Sequence, residues 1–312
     1  MPIPVVLDTD IGTDIDDAYA LIIAAASPEL DLRAVTTVNN DVCLRARIAK
    51  ALLRMLGKDH IPVAAGSGRS LTPGFTRGWG GHEGLGIDLT GVHVCQEPDF
   101  ETGPAVIASA AAQARAEGNP LTLVTIGALT NAALAFERYP EDMSALGRIV
   151  AMASDFRGFG AENASEEHNV ACDPVALQQI IGSGIPLTLV GLNVTRKTSM
   201  DINQMDQIAA IGGPLADALV GMHRVWFDHI DKDSSPMHDA VAVAFTFRPE
   251  LLTTISVSAQ VILDAAIPGT IVFNPRGEGE VTVEVATEVD LSGFERVFSE
   301  RVMACVGLRL GG

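Results

Sequence analysis

Residues 5–18 read VVLDTDIGTDIDDA, and the fold and the site can both be predicted from this stretch. Its short valine and leucine run predicts a buried strand, Gly12 allows a tight turn, and the apolar residues 18–26 predict a helix. The loop between strand and helix therefore follows the carboxyl end of a strand, where open α/β sheets bind their ligands. Because five aspartates lie within positions 8–17, this predicted ligand loop is strongly acidic.

The aspartates of this loop would repel one another unless protonation, a basic partner or a hard cation offset their charge. No lysine or arginine precedes Arg33, so a calcium or magnesium ion is the simplest partner. An EF-hand is excluded, because loop positions six and twelve, counted from Asp8, hold Thr13 and Tyr19 instead of glycine and glutamate. A phosphatase that forms an aspartyl phosphate on Asp8 remains an alternative.

The predicted elements after this loop alternate between strands and helices. Such alternation is typical of a parallel sheet with crossover helices. We predict an α/β fold with a Rossmann-like, mostly parallel sheet flanked by helices, and additional strands and a helix at the C-terminus. No repeat, low-complexity tract or linker interrupts the chain, so residues 1–312 are expected to form one domain. The predicted strands are 32–38, 61–65, 121–126, 148–153 and 185–192, followed by strands within 255–285 and a helix at 294–306.

Composition narrows the function and the cellular location. The chain has 312 residues, of which 47% are hydrophobic, and a formal net charge of -18. This negative charge argues against nucleic acid as a partner, because phosphates would be repelled. The four cysteines form no Cys-x-x-Cys pair, which favours reduced thiols over a zinc or redox site. No signal peptide or membrane-spanning run is evident, so we expect a cytoplasmic protein that does not bind membranes.

A glycine-rich stretch, residues 66–91, shows no helical or strand periodicity. A loop of this length inside a compact domain is usually functional or mobile. It contains His82 and Glu83. These two side chains could close over a substrate or lie on the surface, and the sequence favours neither.

Five stretches together resemble the inosine–uridine-preferring nucleoside hydrolase family. They occur in the family's order and extend over roughly residues 8 to 247. The resemblance implies a Rossmann-like sheet, a bound calcium ion, and cleavage of the N-glycosidic bond of ribonucleosides to ribose and free base. The stretches are DTDIGTDIDDAYAL, VTTVNND, LVTIGALTNAALA, EEHNVACDP and HDAVAVA.

The resemblance also assigns roles to individual residues. Asp16 would be the general base that activates the attacking water, and His238 would face the leaving base. The calcium would be held by four oxygen ligands, which are Asp10, Asp17, Asp239 and the carbonyl of Ile126.

The substrate positions match the family less completely. Glu167 and Asn169 match positions that hold the ribose hydroxyls, and Met152 matches one that lines the ribose pocket. The family asparagine before Glu167 has Asn163 as its nearest candidate, at a different spacing. Asp41 stands where the family has another asparagine, and an ionised aspartate can only accept hydrogen bonds. We therefore expect Asp41 to bind substrate and alter specificity, or alternatively to cap the helix that begins near residue 42.

Four other polar residues have competing interpretations. Asp8 is expected to orient the loop by hydrogen bonds, and Asn131 to tie its own turn rather than contact ligand. Asp14 belongs to a two-residue lengthening of the family loop, where it would be solvent-exposed or would support the metal ligands. His82 is a candidate substrate residue, and His168 has no predicted role.

Two other functions remain open at this point. The phosphatase alternative needs a lysine near the phosphate, for which Lys197 is the available candidate. A non-catalytic protein that binds nucleosides or sugars is the second alternative, and the intact aspartate set argues against it. The resemblance itself implies a small ribonucleoside substrate and a homodimer or homotetramer.

Overall fold

The structure is a computed structural model that describes residues 1–73, 79–94, 102–160, 167–263, 269–275, 277 and 281–307. Its strands are β1 (Ile3–Thr9), β2 (Leu30–Thr37), β3 (Val63–Ala65), β4 (Thr122–Thr125), β5 (Arg148–Met152), β6 (Leu187–Val190), β7 (Met200–Asp201), β8 (Ser234–Ser235), β9 (Leu252–Ile262), β10 (Thr270–Pro275) and β11 (Thr282–Val289).

The helices connect these strands along the chain. They are α1 (Asp16–Ala26), α2 (Val42–Met55), α3 (Thr102–Ala116), α4 (Thr130–Arg138), α5 (Pro140–Met143), α6 (His168–Cys172), α7 (Pro174–Gly182), α8 (Leu192–Thr195), α9 (Ile202–Ile211), α10 (Pro214–Ile230), α11 (His238–Phe247), α12 (Leu291–Phe298) and α13 (Ala304–Val306). A π-helical turn, Ser299–Met303, joins α12 to α13.

One large sheet organises the chain. Its strand order is β10-β9-β11-β6-β5-β4-β1-β2-β3 in the described residues, and β7 pairs with β8 separately. Neighbouring strands are parallel across the part of the sheet with the order β6-β5-β4-β1-β2-β3, and β11 is parallel to β6. At the edge beyond β11, β9 and β10 are antiparallel additions. The predicted α/β class, with a mostly parallel sheet and C-terminal additions, is confirmed.

Both faces of the sheet are covered by helices, as the apolar strands require. Successive strand side chains point to opposite faces, so Val5 and Leu7 join one core cluster with α1, α2, α10 and α11. Val6 joins a second cluster with α3, α4 and α7. Removing each such aliphatic side chain from water contributes about 1.5–3 kcal/mol, which explains why strands in this sheet read as continuous apolar runs.

Two predicted elements differ from the structure near their ends. The strand predicted at 185–192 is shorter, because its last residue already begins the helical turn α8. The helix predicted at 294–306 begins earlier, at Leu291, after the Asp290 carboxylate accepts the Gly293 N–H as an N-cap. Among the described residues, no helix is long and apolar enough to cross a membrane.

Candidate active site

The acidic loop lies where the strand order of the sheet reverses. From β1 the chain moves outward to β2 and β3, and it then returns to the other side of β1 as β4. Asp10 directly follows β1, and Ile126 directly follows β4. The crevice at such a reversal, outside the carboxyl ends of the strands, is the usual ligand site of this architecture.

A cavity of about 310 Å³ opens at this crevice. Carboxylates dominate one part of its wall, and rings, an aliphatic side chain and a guanidinium form another. The described residues that line it are Asp10, Thr13, Asp14, Asp16, Ile126, Met152, Glu167, His168, Asn169, Leu192, Arg196, Trp226, His238 and Asp239.

The aspartates are held at the cavity by the turn after β1 and by the start of α1. Gly12 adopts a φ of 112°, a conformation that other residues rarely adopt. Asp16 and Asp17 then occupy the first turn of α1, where the helix dipole favours negative charge. Carboxylate oxygens of Asp14, Asp16 and Asp17 lie within 4.8 Å of one another. Asp14 is therefore half-buried within the acidic cluster and lines the cavity, rather than pointing into solvent.

Hydrogen bonds fix two of these carboxylates and leave one oxygen open. Asp17 Oδ1 accepts a hydrogen bond from the Thr9 hydroxyl. Asp16 Oδ2 accepts one from the backbone N–H of Asp239 at 3.1 Å, which joins α1 to α11. The other oxygen, Asp16 Oδ1, is buried without a protein partner in the described structure. A buried carboxylate oxygen of this kind costs free energy unless a ligand satisfies it.

Burial raises the pKa of every aspartate in the cluster. The pKa of Asp16 rises to about 6, and that of Asp14 rises to about 7 through burial and the Asp16 charge. Burial also raises the pKa of Asp10, Asp17 and Asp239. Neighbouring aspartates raise it further at Asp17 and Asp239, whereas at Asp10 the charges of Arg45 and His168 oppose the effect of burial. Protein groups alone therefore do not compensate the charge of this cluster, and a bound cation would.

A basic residue that sequence reasoning did not assign to the site supports the loop backbone. Arg45 on α2 is fully buried and donates to the carbonyl of Asp10 and, at 3.0 Å, to that of Ile11. It also donates to the carbonyl of Asn39 at 2.8 Å and to the hydroxyl of Thr13 at 3.2 Å. In the sequence, Arg45 lies four and seven residues before the apolar residues 49 and 52, so helical periodicity predicts the same buried face for all three.

Asp8 orients the loop by hydrogen bonds, as expected, whereas Asn131 ties neighbouring strand ends rather than its own turn. Asp8 Oδ1 accepts from the Thr36 hydroxyl at 2.6 Å and from Asn131 Nδ2 at 2.7 Å. Asn131 also donates to the carbonyl of Thr37 and accepts from Ser67, so it ties three strand ends together. Asp8 is completely buried beneath the cavity and does not line it. This position argues against Asp8 as the nucleophile of a phosphatase.

The phosphatase alternative also lacks its lysine at this site. Lys197 lines a different cavity of about 310 Å³, together with Met200, Phe294 and other residues of α9 and α12. The fixed cation at the acidic cavity is instead Arg196.

Three predicted substrate residues form one wall of the acidic cavity. Glu167 is buried and caps α6 by accepting from the N–H groups of Asn169 and Val170. Burial raises the pKa of this carboxyl. Asn169 Nδ2 donates to the carbonyls of Ile126 at 2.9 Å and Met152 at 3.0 Å. These contacts leave the Asn169 carbonyl oxygen and part of the Glu167 carboxylate available to hydroxyl groups in the cavity.

His238 faces the cavity from the start of α11. Its Nδ1 lies 2.7 Å from the hydroxyl of Thr195, which is fully buried. When this hydroxyl donates to Nδ1, the imidazole carries its proton on Nε2. Burial lowers the pKa of His238 to about 4, although the nearby Asp14 charge raises it.

Of the two histidines without a firm prediction, His168 and His82, only the first reaches the cavity. His168 lines the cavity with Nε2 3.8 Å from Asp10 Oδ2. His82 does not line it, and its Nε2 instead lies 2.6 Å from the carbonyl of Thr13. The His82 ring packs 4.1 Å from the ring of His229, which in turn stacks near Trp226 at 5.7 Å. The loop with His82 therefore contacts the edge of the site through Thr13 and Trp226.

One further predicted substrate residue, Asp41, is not brought to the cavity. Asp41 is exposed, and its Oδ1 accepts the Leu44 N–H at 2.9 Å as the N-cap of α2. The structure thus gives Asp41 the capping role, because its carboxylate is already directed at the helix end and does not line the cavity. Asn163 lies outside the described residues.

Comparisons with known proteins agree with this geometry. A model of the inosine-uridine preferring nucleoside hydrolase family matches residues 5–296. The pyrimidine-specific ribonucleoside hydrolase RihA of Escherichia coli is 32% identical over 263 residues, covering 82% of this chain and 83% of that protein. A purine-preferring ribonucleoside hydrolase from Gardnerella vaginalis superposes with a TM-score of 0.83 at 25% identity, covering 98% of this chain and 100% of that one. A plant nucleoside hydrolase gives 0.82 at 26% identity, covering 97% and 100%.

Proposed function

Because the chain belongs to the inosine-uridine preferring nucleoside hydrolase family, we propose that its acidic cavity binds calcium and hydrolyses ribonucleosides there. The reaction class follows from the family: the enzyme is a ribonucleoside hydrolase, which splits an N-glycosidic bond to give ribose and a free base. The calcium ion, the residue roles and the assembly state are our proposals.

The acidic cluster fits a hard cation. Among the described residues, the carboxylates within 4.8 Å of one another are those of Asp14, Asp16 and Asp17, and Asp17 lies behind the cavity lining. The side chains of Asp10, Asp17 and Asp239 and the carbonyl of Ile126 would hold the ion. All of these ligands are oxygens, which calcium prefers in six- to eightfold coordination. The observation that carries the proposal is the buried, mutually repelling aspartate cluster, with Asp16 Oδ1 left without a partner.

The chemistry divides between the residues around this cluster. When bound, calcium would supply positive charge that holds the ribose hydroxyls and a water molecule. Asp16 would accept a proton from the attacking water at Oδ1. The surrounding carboxylates favour the positive charge that develops on the ribose in an oxocarbenium-like transition state.

Binding and departure of the substrate use other residues. Glu167 and Asn169 would hold ribose hydroxyls beside Met152, and their backbone contacts pre-organise them for this role. His238 would donate from Nε2 to the leaving base, in the tautomer that Thr195 sets. His82 would act indirectly, because it holds the Thr13 carbonyl at the cavity edge.

The proposal is tested by measuring ribose release from a panel of ribonucleosides. The purified protein is dialysed against a chelator and assayed before and after calcium is restored. We expect activity to be lost on chelation and restored by calcium. Ribose release that is unaffected by thorough chelation would contradict the calcium proposal, and no release from any ribonucleoside would contradict the activity.

We also propose that the enzyme is a homodimer or homotetramer, as the family resemblance implies. The half-exposed apolar side chains of Ile202 and Ile211 on α9 support a contact surface. Light scattering at micromolar concentration tests the assembly, and a monomer would contradict it. A cytoplasmic location remains a prediction, supported by described cysteines that are thiols and not disulfides.

The relatives differ in the base that their names specify, pyrimidine in one and purine in another. Base preference in this chain therefore depends on its own cavity residues.

A further inference from the structure

One positive side chain stands among the acidic residues of the cavity. Of the described lining residues, five are carboxylates and one, Arg196, is a guanidinium. Arg196 is the C-cap residue of α8, directly after Thr195. A fixed positive charge at this position is not required to balance the aspartate cluster, because Arg45 and the proposed calcium already act there.

One nitrogen of the Arg196 guanidinium contacts a buried carboxylate, and about half of the side chain is exposed. Its Nη1 lies 3.3 Å from Asp155 Oδ2, and this carboxylate is almost completely buried. The same Asp155 oxygen also accepts from Arg157 at 2.5 Å. One carboxylate oxygen therefore accepts from two guanidinium groups. About half of the Arg196 side chain, 52%, is exposed, so other N–H groups of its fork are available to a ligand.

Several residues that line the cavity together with Arg196 suit a nucleobase rather than a sugar. Leu192 and Trp226 supply apolar and aromatic surface to the same cavity, and His238 supplies the proposed donor to the leaving base. The sugar-binding groups Glu167 and Asn169 are fixed at the ends of β4 and β5 instead. A planar base over Trp226 would present its edge to the polar groups around it.

We propose that Arg196 is a specificity-determining residue that donates hydrogen bonds to a ring carbonyl of the base. This inference rests on the proposed function. A guanidinium only donates, so on inosine it pairs with the 6-oxygen and N7, whereas the exocyclic amino group of adenosine presents a second donor to it. The family's name already specifies inosine and uridine, and the new element is that Arg196 would be the residue that discriminates inosine from adenosine.

The same contact assists bond cleavage. As the C1′–N9 bond of inosine breaks, its electron pair moves to the base and is delocalised onto the 6-oxygen. Water adds hydroxide to C1′ and its other proton passes to Asp16. The base leaves with the electron pair, accepts a hydrogen bond from His238, and is then protonated by solvent water. A guanidinium at the 6-oxygen stabilises the negative charge while it develops, which is where such a donor accelerates a reaction.

The test compares the Arg196→Met and Arg157→Met variants with the wild type. Arg157 contacts the same Asp155 oxygen but does not line the cavity, so it is the matched control. The kcat/KM for inosine, adenosine and inosine 5′-monophosphate is measured, with p-nitrophenyl riboside as a substrate that lacks a base. We expect Arg196→Met to lower kcat/KM for inosine by about 10- to 100-fold, the scale of a bidentate arginine–base contact. Adenosine and p-nitrophenyl riboside should change less than about threefold, as should all substrates with Arg157→Met.

Each alternative has its own outcome. An equal loss for inosine and adenosine would overturn base recognition by Arg196. Efficient hydrolysis of inosine 5′-monophosphate that disappears in Arg196→Met would assign the guanidinium to a phosphate and would likewise overturn the proposal. A wild type that cleaves none of these ribosides, and neither uridine nor cytidine, would contradict the proposed function itself. Unchanged thermal unfolding of the variants excludes misfolding as the cause of a loss.

Discussion

Asp16 combines the features that a general base needs at this site. It is buried beside the start of α11, one oxygen is fixed by the Asp239 N–H, and the other faces no protein donor. Replacing Asp16 by asparagine preserves shape but removes the basic oxygen. We expect turnover to fall by about two to four orders of magnitude, the usual scale for loss of a general base, whereas calcium binding measured by calorimetry should persist. Turnover within a few-fold of wild type would mean that another group takes the proton.

Asp41 was a candidate substrate residue, but in the structure it caps helix α2. Because its carboxylate accepts the Leu44 N–H, Asp41→Ala should lower the free energy of unfolding by about 1 kcal/mol. The ratio of rates between different nucleosides should not change. The control is Asp41→Asn, since asparagine caps a helix as well as aspartate. If the asparagine variant changes the substrate ratio, Asp41 contacts substrate after all.

At the level of single residues, local sequence was enough to find the acids but not their partners. The aspartates of residues 8–17 are adjacent in the chain, so their crowding could be predicted directly. The contacts of Arg45 with the loop carbonyls span more than thirty residues, and only the folded arrangement of α2 and β1 brings them together. Asp155 and Arg196 meet for the same reason, because they follow different strands.

At the level of elements, the alternation of strands and helices predicted the parallel sheet well. The short elements α8, β7 and β8 carry too few residues for a detectable period and were not predicted. Asn39 and Ser154 adopt positive φ, at 69° and 81°, where a glycine would have given a sequence signal. The largest boundary differences lie elsewhere, in the C-terminal part of the chain, where β11 extends to Val289 and the last helix begins at Leu291.

The loop of residues 79–94 is held on α10 by two glycines in contact. A Cβ added at Gly221 would lie 2.1 Å from the carbonyl oxygen of Gly86, and one added at Gly86 would lie 2.3 Å from Gly221. We expect Gly221→Ala to displace the loop and to separate His82 from Thr13 and His229. Overpacking of this kind costs about 1–3 kcal/mol. The KM for ribonucleosides should rise while calcium affinity stays constant.

The control for this change is Gly182→Ala in α7. A Cβ added there meets no atom within 4 Å, and alanine is the better helix former. The control should therefore be neutral or slightly stabilising in thermal unfolding, with KM unchanged. If Gly221→Ala also leaves both KM and unfolding temperature unchanged, the loop is not fixed by this contact.

For the molecule as a whole, the buried aspartates reduce folding stability and the buried apolar side chains increase it. The chain carries a net charge of -18, yet several aspartates are buried at one crevice of the sheet. Burying them raises their pKa values, which means that the ionised aspartates lower the free energy of unfolding. The apolar clusters on both sheet faces offset this loss of stability. A bound cation would restore part of it, because it binds only the folded chain.

A buried histidine away from the cavity predicts how stability depends on pH. His223 on α10 is fully buried, with Nδ1 3.2 Å from the Tyr19 hydroxyl and Nε2 unpartnered in the described structure. Burial lowers its pKa to about 4. The unfolded chain therefore binds a proton at His223 near pH 6.5, whereas the folded chain does not until about pH 4. The stability that this difference confers is complete above pH 6.5 and is lost as the pH falls toward 4.

Replacing His223 by leucine removes this titration. The aspartates of the site titrate in the same range in both proteins, so the difference in unfolding free energy between variant and wild type isolates the histidine. Loss of the Tyr19 contact makes the variant less stable at pH 7.5. Relative to the difference at pH 7.5, the unfolding free energy of the variant should rise against that of the wild type by about 2.5 kcal/mol by pH 4.5. Urea unfolding at both pH values measures the two differences. Equal differences at pH 7.5 and pH 4.5 would show that His223 is protonated in the folded protein as readily as in the unfolded chain.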